Sequence, residues 1–152
     1  MTFARIRLAV AAVAFVGWLS WLAVAVWQKD AADKVSRAQL TAAAAVVVAE
    51  VTVGEDGLPL PKAKVTRRVG GTGPAVGDEI TVTNLPSAVV PGKGFPGAGQ
   101  YLLPLAGGDL GVFRVAGLPR SPGYEETTPK LPSIYPWTAD VQAQLTSLNY
   151  EW

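Results

Sequence analysis

An apolar run near the amino terminus constrains this chain more than any other feature. Residues 6–27, IRLAVAAVAFVGWLSWLAVAVW, hold a single ionisable side chain, Arg7. At about 1.5 Å of rise per residue these roughly 22 positions reach about 33 Å, enough for a hydrocarbon core of about 30 Å. The expectation is a transmembrane helix within a segment 1–28 that includes a short cytoplasmic tip. Its rival is a cleaved signal sequence, because Ala23, Val24 and Ala25 spell an A-x-A site behind a basic start. A signal core is about 7 to 15 residues long; this run is longer and carries Trp18, Trp21 and Trp27, which favours the anchor.

Basic residues stand at both ends of the run, Arg5 and Arg7 at its start and Lys29, Lys34 and Arg37 after it, so local charge does not orient it. Long domains behind a short basic tip translocate largely regardless of charge, which places the amino terminus in the cytoplasm and the main domain outside. At about 100° per residue Ala14, Trp18, Trp21 and Ala25 share one helix face, with both indoles near mid-depth. Tryptophan prefers the wet interface, where Trp27 belongs. Two mid-depth indoles point to a protein, pigment or quinone neighbour, or else to bodies apolar enough to face lipid. Small-xxx-small spacing is missing, so self-association through close backbone approach is not indicated.

The rest of the 152 residues suffices for one modest domain and a tail. Thirteen Lys and Arg against twelve Asp and Glu leave a net charge of +1, no field for nucleic acid. Cysteine and histidine are both absent. That removes disulfides, thiolate nucleophiles and the usual metal and acid–base side chains, so no cofactor and no enzymatic activity are expected.

Residues 29–40 are short and charged up to Arg37 and form a stalk, with Ser36 offering a break. A long first strand follows in AAAAVVVAEVTV, with Val47, Ala49, Val51 and Val53 inward and Glu50 and Thr52 outward, although its alanines equally suit a helix. AKVTRRV gives a second strand with Ala63, Val65 and Val69 on one face, and EITVTNL a third with Ile80, Val82 and Leu85 inward. After a Gly- and Pro-rich loop, 86–99, QYLLPL and GVFRVAG form a hairpin about Gly107, Gly108 and Asp109. Pro104 cannot donate to a ladder, which predicts an edge there. Residues 41–118 thus read as a small five-stranded barrel or half-open sandwich in a mainly β protein. Residues 119–137 form a Pro-rich extended arm. In 138–152, Thr138 caps an amphipathic helix with Val141, Leu145 and Leu148 on one side, followed by an aromatic tail. That stripe must rest on the barrel or on another protein, and the barrel is favoured.

VVVAEVTV, KVTRRV, VGDEITV and YLLPL resemble the OB-type barrels of secreted bacterial and netrin-like modules. With SPGY and IYPWTADVQAQL added, the pattern resembles an uncharacterised bacterial family of small single-pass membrane proteins with an OB-like extracytoplasmic barrel. The resemblance implies a periplasmic domain at the bacterial inner membrane and brings no catalytic residues. Netrin-like inhibitors rely on cysteines, which this chain lacks.

Three candidate sites read as structure rather than chemistry. GKGFPGAG, 92–99, lacks the Ser or Thr and the helix that a phosphate loop needs after its lysine. Lys62, Lys64 and Arg68 alternate onto one strand face with no aromatic residue for base stacking, so solvent or lipid headgroups are their expected surroundings. Glu55/Asp56, Asp78/Glu79 and Glu125/Glu126 fall in turns without calcium-loop spacing. The expected function is that of a non-enzymatic accessory or scaffold subunit of a larger membrane complex, respiratory or photosynthetic by analogy of shape. It would touch lipid and protein partners, with Trp18, Trp21, Phe95, Tyr135, Trp137 and Trp152 as contacts. The alternative is a secreted or anchored module that captures a peptide or protein ligand on its barrel loops.

Overall fold

A computed structural model describes residues 2–30, 35–92, 94–108, 111–119 and 131–150, and within the first helix the side chains of Arg7 and 10–26. The chain divides into two compact units, Met1–Ala32 and Asp33–Trp152. The first unit is a single helix, α1, Thr2–Asp30. Among the described residues no helix is long and apolar enough to cross a membrane; the described side chains 10–26 end just below the 18 or so that a crossing takes.

The second unit is mainly β. It contains α2 (Arg37–Ala42), β1 (Ala45–Val53), β2 (Pro59–Gly71), β3 (Glu79–Val82), a 3₁₀ turn at Leu85–Ser87, β4 (Gly99–Gly107), β5 (Val112–Val115), β6 (Tyr135–Pro136) and α3 (Ala139–Ser147). Strands run in the order β1-β2-β3-β5-β4, and β4 pairs back onto β1, closing a five-stranded barrel to which β6 adds at β4. The β3–β5 pair is parallel and the others antiparallel.

Alternation along the strands fills the barrel. Val47, Ala49 and Val51 of β1 meet Ala63, Val65, Ile80, Val82, Leu85, Tyr101, Leu103, Leu105 and Phe113 in one core. The other face of β1 is buried too. Val46 and Val48 join Leu102, Val69, Tyr135, Leu40 of α2 and Val141 and Leu145 of α3 in a second core outside the barrel wall.

Several expectations change here. Val69 belongs to the outer core, not to the face of Ala63 and Val65. The cause lies in the register of β2: Val48 faces Arg67 while Ala49 faces Val65, leaving Thr66 as a bulge that flips the alternation beyond it. Val69 is itself unpaired in a second shift, between Arg68 opposite Val47 and Gly70 opposite Val46. Thr66 Oγ1 donates to the Val48 carbonyl at 3.1 Å and fixes that bulge. Pro104 lies opposite Val46 of β1 rather than on a free edge. On its other side β4 changes partner, from β6 at Tyr101 and Leu102 to β5 at Leu105, so no ladder there needs the missing N–H. Its carbonyl accepts from the Ala116 amide at 2.7 Å.

The stalk from 35 onward and the arm from 131 onward are likewise part of the second unit, while 29 and 30 end α1. Ser36 caps α2, its hydroxyl accepting from the Gln39 amide, and Gln39 and Leu40 are buried. Ile134 and Tyr135, placed by sequence in an extended arm, are buried, and the Trp137 amide continues the β4 ladder by donating to the Gln100 carbonyl at 2.9 Å. Thr138 does cap α3, accepting from the Val141 amide at 3.4 Å, and the Val141/Leu145 stripe rests on the barrel.

One polar knot ties these pieces. Gln39 Nε2 donates to the carbonyls of Ala116 at 2.7 Å and Ser133 at 2.8 Å. Tyr135 donates its hydroxyl to Gln39 Oε1 at 2.7 Å and accepts from the Ser36 amide at 3.1 Å. No described buried side-chain polar atom lacks a partner. Because a buried group stripped of its partner costs about 1 to 3 kcal/mol, Gln39→Ala, which orphans two carbonyls and a hydroxyl, is expected to lose about 2 to 4 kcal/mol of stability. Tyr135→Phe is expected to lose about 1 to 3 kcal/mol. Denaturant unfolding followed by circular dichroism measures both.

Candidate functional site

Two surfaces carry what the chain can present. The first is α1. From 10 to 26 its side chains are apolar apart from Ser20, whose hydroxyl donates to the Val16 carbonyl at 2.9 Å. Exposure is spread round the helix: Val13, Phe15, Val16, Trp18, Leu19, Trp21 and Val24 all lie open. Trp18 is 56% and Trp21 67% exposed, and the Phe15 and Trp18 rings lie 6.4 Å apart.

The second surface is the barrel wall formed by β1, β2 and β3. A shallow groove of about 410 Å³ runs over Glu50, Thr52, Leu60, Lys62, Lys64 and Glu79. Register places Gln100, Glu50, Lys64 and Glu79 in one row across four strands, and Lys62 Nζ lies 3.1 Å from Glu79 Oε1. The lysines thus stand among carboxylates, which cancels the positive face that a nucleic-acid backbone requires. Arg68 leaves that face altogether, since the Thr66 bulge sets it opposite Val47. At one end of the barrel an open cleft of about 650 Å³ is lined by Ala44, Thr72, Gly73, Ile80, Gly108 and Phe113, among others. Asp78 and Glu79 also line it.

The acidic pairs have local duties. Asp56 Oδ1 accepts from the Leu58 amide at 3.1 Å and Asp78 Oδ2 from the Ala75 amide at 2.8 Å, each closing a turn. Glu125 and Glu126 lie outside the described residues. Among the described residues no three metal-ligating side chains come together.

Of the aromatic contacts expected from sequence, Trp18 and Trp21 are on an open surface of α1. Tyr135 is 1% exposed and belongs to the outer core; it is a structural tyrosine and not a partner contact. Trp137 packs half-buried against the same core. Phe95 stacks on Tyr101, centroids 5.3 Å apart at 24°, and rests on the barrel core. The neighbouring backbone joins in, since Tyr101 donates its hydroxyl to the Gly97 carbonyl at 2.6 Å. Lys93 and Trp152 lie outside the described residues. Gln39 was missed entirely: a lone glutamine in a polar stretch gives no sign that a tyrosine 96 positions on will need its amide oxygen.

No protein-family model, curated protein or solved structure matches this chain.

Two phenols are perturbed. Burial pushes the Tyr135 hydroxyl above its usual value, with the Ser36 amide pulling the other way, and burial raises Tyr101. A phenol whose folded value is raised stabilises the fold fully below its unfolded value, about 10, and that contribution fades as pH climbs through the folded value. Melting temperature is therefore expected to drop above about pH 10, and to drop less steeply in Tyr135→Phe. A thermal-melt series across alkaline pH checks this.

Proposed function

We propose that this protein is a single-pass, membrane-anchored, non-enzymatic accessory or scaffold subunit of a larger membrane assembly. In this reading α1 lies in the bilayer with its amino terminus cytoplasmic. The barrel is an OB-type, extracytoplasmic body that meets protein partners. The observation that carries the reading is that the described side chains of α1 from 10 to 26 form no polar stripe: a helical stretch apolar all round belongs inside a large core or inside a membrane. In sequence the run extends to 6–27, with Arg7 near its start placed to reach the headgroups. The intrahelical bond of Ser20 leaves no hydroxyl proton unmet in hydrocarbon.

Strand order supports the OB-type assignment, since a β1-β2-β3-β5-β4 barrel closed through β1–β4 with β3 parallel to β5 is the OB arrangement. Ligand-binding OB barrels commonly work through the β2–β3 face. Here that face lacks the aromatic platform of a strand-binding protein and is charge-balanced, which favours a scaffold over a nucleic-acid binder. A chain without cysteine or histidine also lacks the side chains most used for nucleophilic and acid–base work.

Fractionation tests the reading. The full-length protein is expected to stay with membranes through alkaline carbonate, and its barrel to be cleaved by protease only from the extracytoplasmic side. Release by carbonate, or cleavage of the barrel from the cytoplasmic side alone, contradicts it.

A further inference from the structure

The tip of the β1–β2 hairpin brings together two residues whose chemistry needs no enzyme. Gly57 follows Asp56, and it is the only glycine in the chain that follows an aspartate or an asparagine. In such a pair the nitrogen of the following peptide reaches the side-chain carbonyl carbon, and only a side chain on the following residue obstructs it. Elsewhere the obstacle is in place: Asp78 precedes Glu79 in β3, and Asp140 and Asn84 precede Val141 and Leu85, both buried.

The tip leaves Asp56 and Gly57 open. Residues 55–58 are exposed and lie beyond the last register pair of the hairpin, Val53 opposite Pro59. Gly57 takes φ +77°, which a side chain would resist, and a Cβ there would meet nothing within 4 Å. Asp56 Oδ1 accepts from the Leu58 amide at 3.1 Å. That bond closes a ring of atoms containing both Asp56 Cγ and the Gly57 nitrogen, the two that must join. The Leu58 N–H also sits on the oxygen that takes up negative charge when a nucleophile adds to Cγ, and a donor placed there lowers the barrier. Against the attack stands the turn bond from the Gly57 amide to the Gly54 carbonyl at 3.1 Å. A bond at an exposed tip opens at little cost.

We infer that Asp56 isomerises spontaneously in the folded protein and then becomes a site for carboxyl methylation. The Gly57 nitrogen adds to Asp56 Cγ, and its proton leaves with the carboxyl OH as water, giving a cyclic imide. Water then adds back. Opening between the Gly57 nitrogen and Cγ restores aspartate. Opening between that nitrogen and the former main-chain carbonyl carbon gives isoaspartate: the chain now runs through Cγ, and the former main-chain carbonyl carbon is a free carboxylate. Methylation passes the methyl group of a sulfonium donor to an oxygen of that carboxylate, and the donor leaves as a thioether. Isomerisation inserts a methylene into the main chain between Val53 and Pro59 and removes the side-chain carboxylate that closes the turn on Leu58.

The test ages full-length protein in dodecylmaltoside micelles, in mildly acidic buffer at physiological temperature, beside a sample unfolded in urea that shows the assay to work. Circular dichroism checks that the first sample stays folded. Isoaspartate is counted with an isoaspartate-specific carboxyl methyltransferase and labelled S-adenosylmethionine, and peptide mapping locates it. The folded sample is expected to gain label at Asp56, with its mass finally unchanged and a transient species lighter by one water. Asp56→Ser, whose hydroxyl keeps an acceptor for the Leu58 amide, is expected to lose that label. A folded sample that gains no isoaspartate at Asp56 overturns the inference, whatever the urea sample does. So does label that maps to another residue or persists in Asp56→Ser.

Discussion

Over its first five residues β1 has no solvent-facing side, and most of the barrel unit follows from that. Inward, Ala45, Val47 and Ala49 need the barrel; outward, Val46 and Val48 need a second layer, which α2, β6 and α3 supply. Two short helices and a two-residue strand are marginal alone, so their order comes from covering this wall. Gln39 and Tyr135 set where they sit: one amide and one phenol satisfy two carbonyls, one backbone amide and each other. The carboxyl-terminal segment is therefore part of the domain's structure. It even grips the start of the domain, with Gln144 Oε1 accepting from the Val35 amide at 2.8 Å.

These commitments restrict what surface is left for function. The residues that looked most adhesive in the carboxyl-terminal half, Tyr135 and Trp137, are spent on the outer core, and Phe95 is spent on Tyr101. The barrel wall that remains open is balanced in charge along the Gln100–Glu50–Lys64–Glu79 row, a surface suited to solubility more than to capture. The large open apolar surface lies on α1. The scaffold role proposed above draws on both: a helix whose described side chains from 10 to 26 are apolar apart from Ser20, and a closed barrel.

Legibility in the sequence tracked the range of the interaction. Period-2 alternation located β1, β2 and β3 and much of the inner core, and the turn chemistry about Gly107 and Gly108 located β4 and β5, because each signal lies within a few residues. Thr138 and the Val141/Leu145 stripe announced α3 for the same reason. The Thr66 bulge was invisible, since it exists only in the register of β2 against β1, and with it went the side of Val69. Prolines misled twice: Pro104 sits at a change of partner and Pro136 at an outer strand, both places where the missing N–H is not asked for. Gln39 and Tyr135 were illegible as a pair because their bond closes over most of the domain. Residues 29–40 read as a stalk because charge dominates their composition, yet from 35 onward Val35, Ser36, Gln39 and Leu40 are held by the barrel unit.

Hydrogen exchange on the intact protein tests the central claim, that barrel and outer layer are one cooperative body. The account expects amides at 38–40 and 141–145 to exchange as slowly as those of β1 and β4, all through one global opening. If α2 and α3 exchange orders of magnitude faster than β1 while the barrel stays protected, the outer layer is a separable attachment and the doubly buried strand is not what organises the domain.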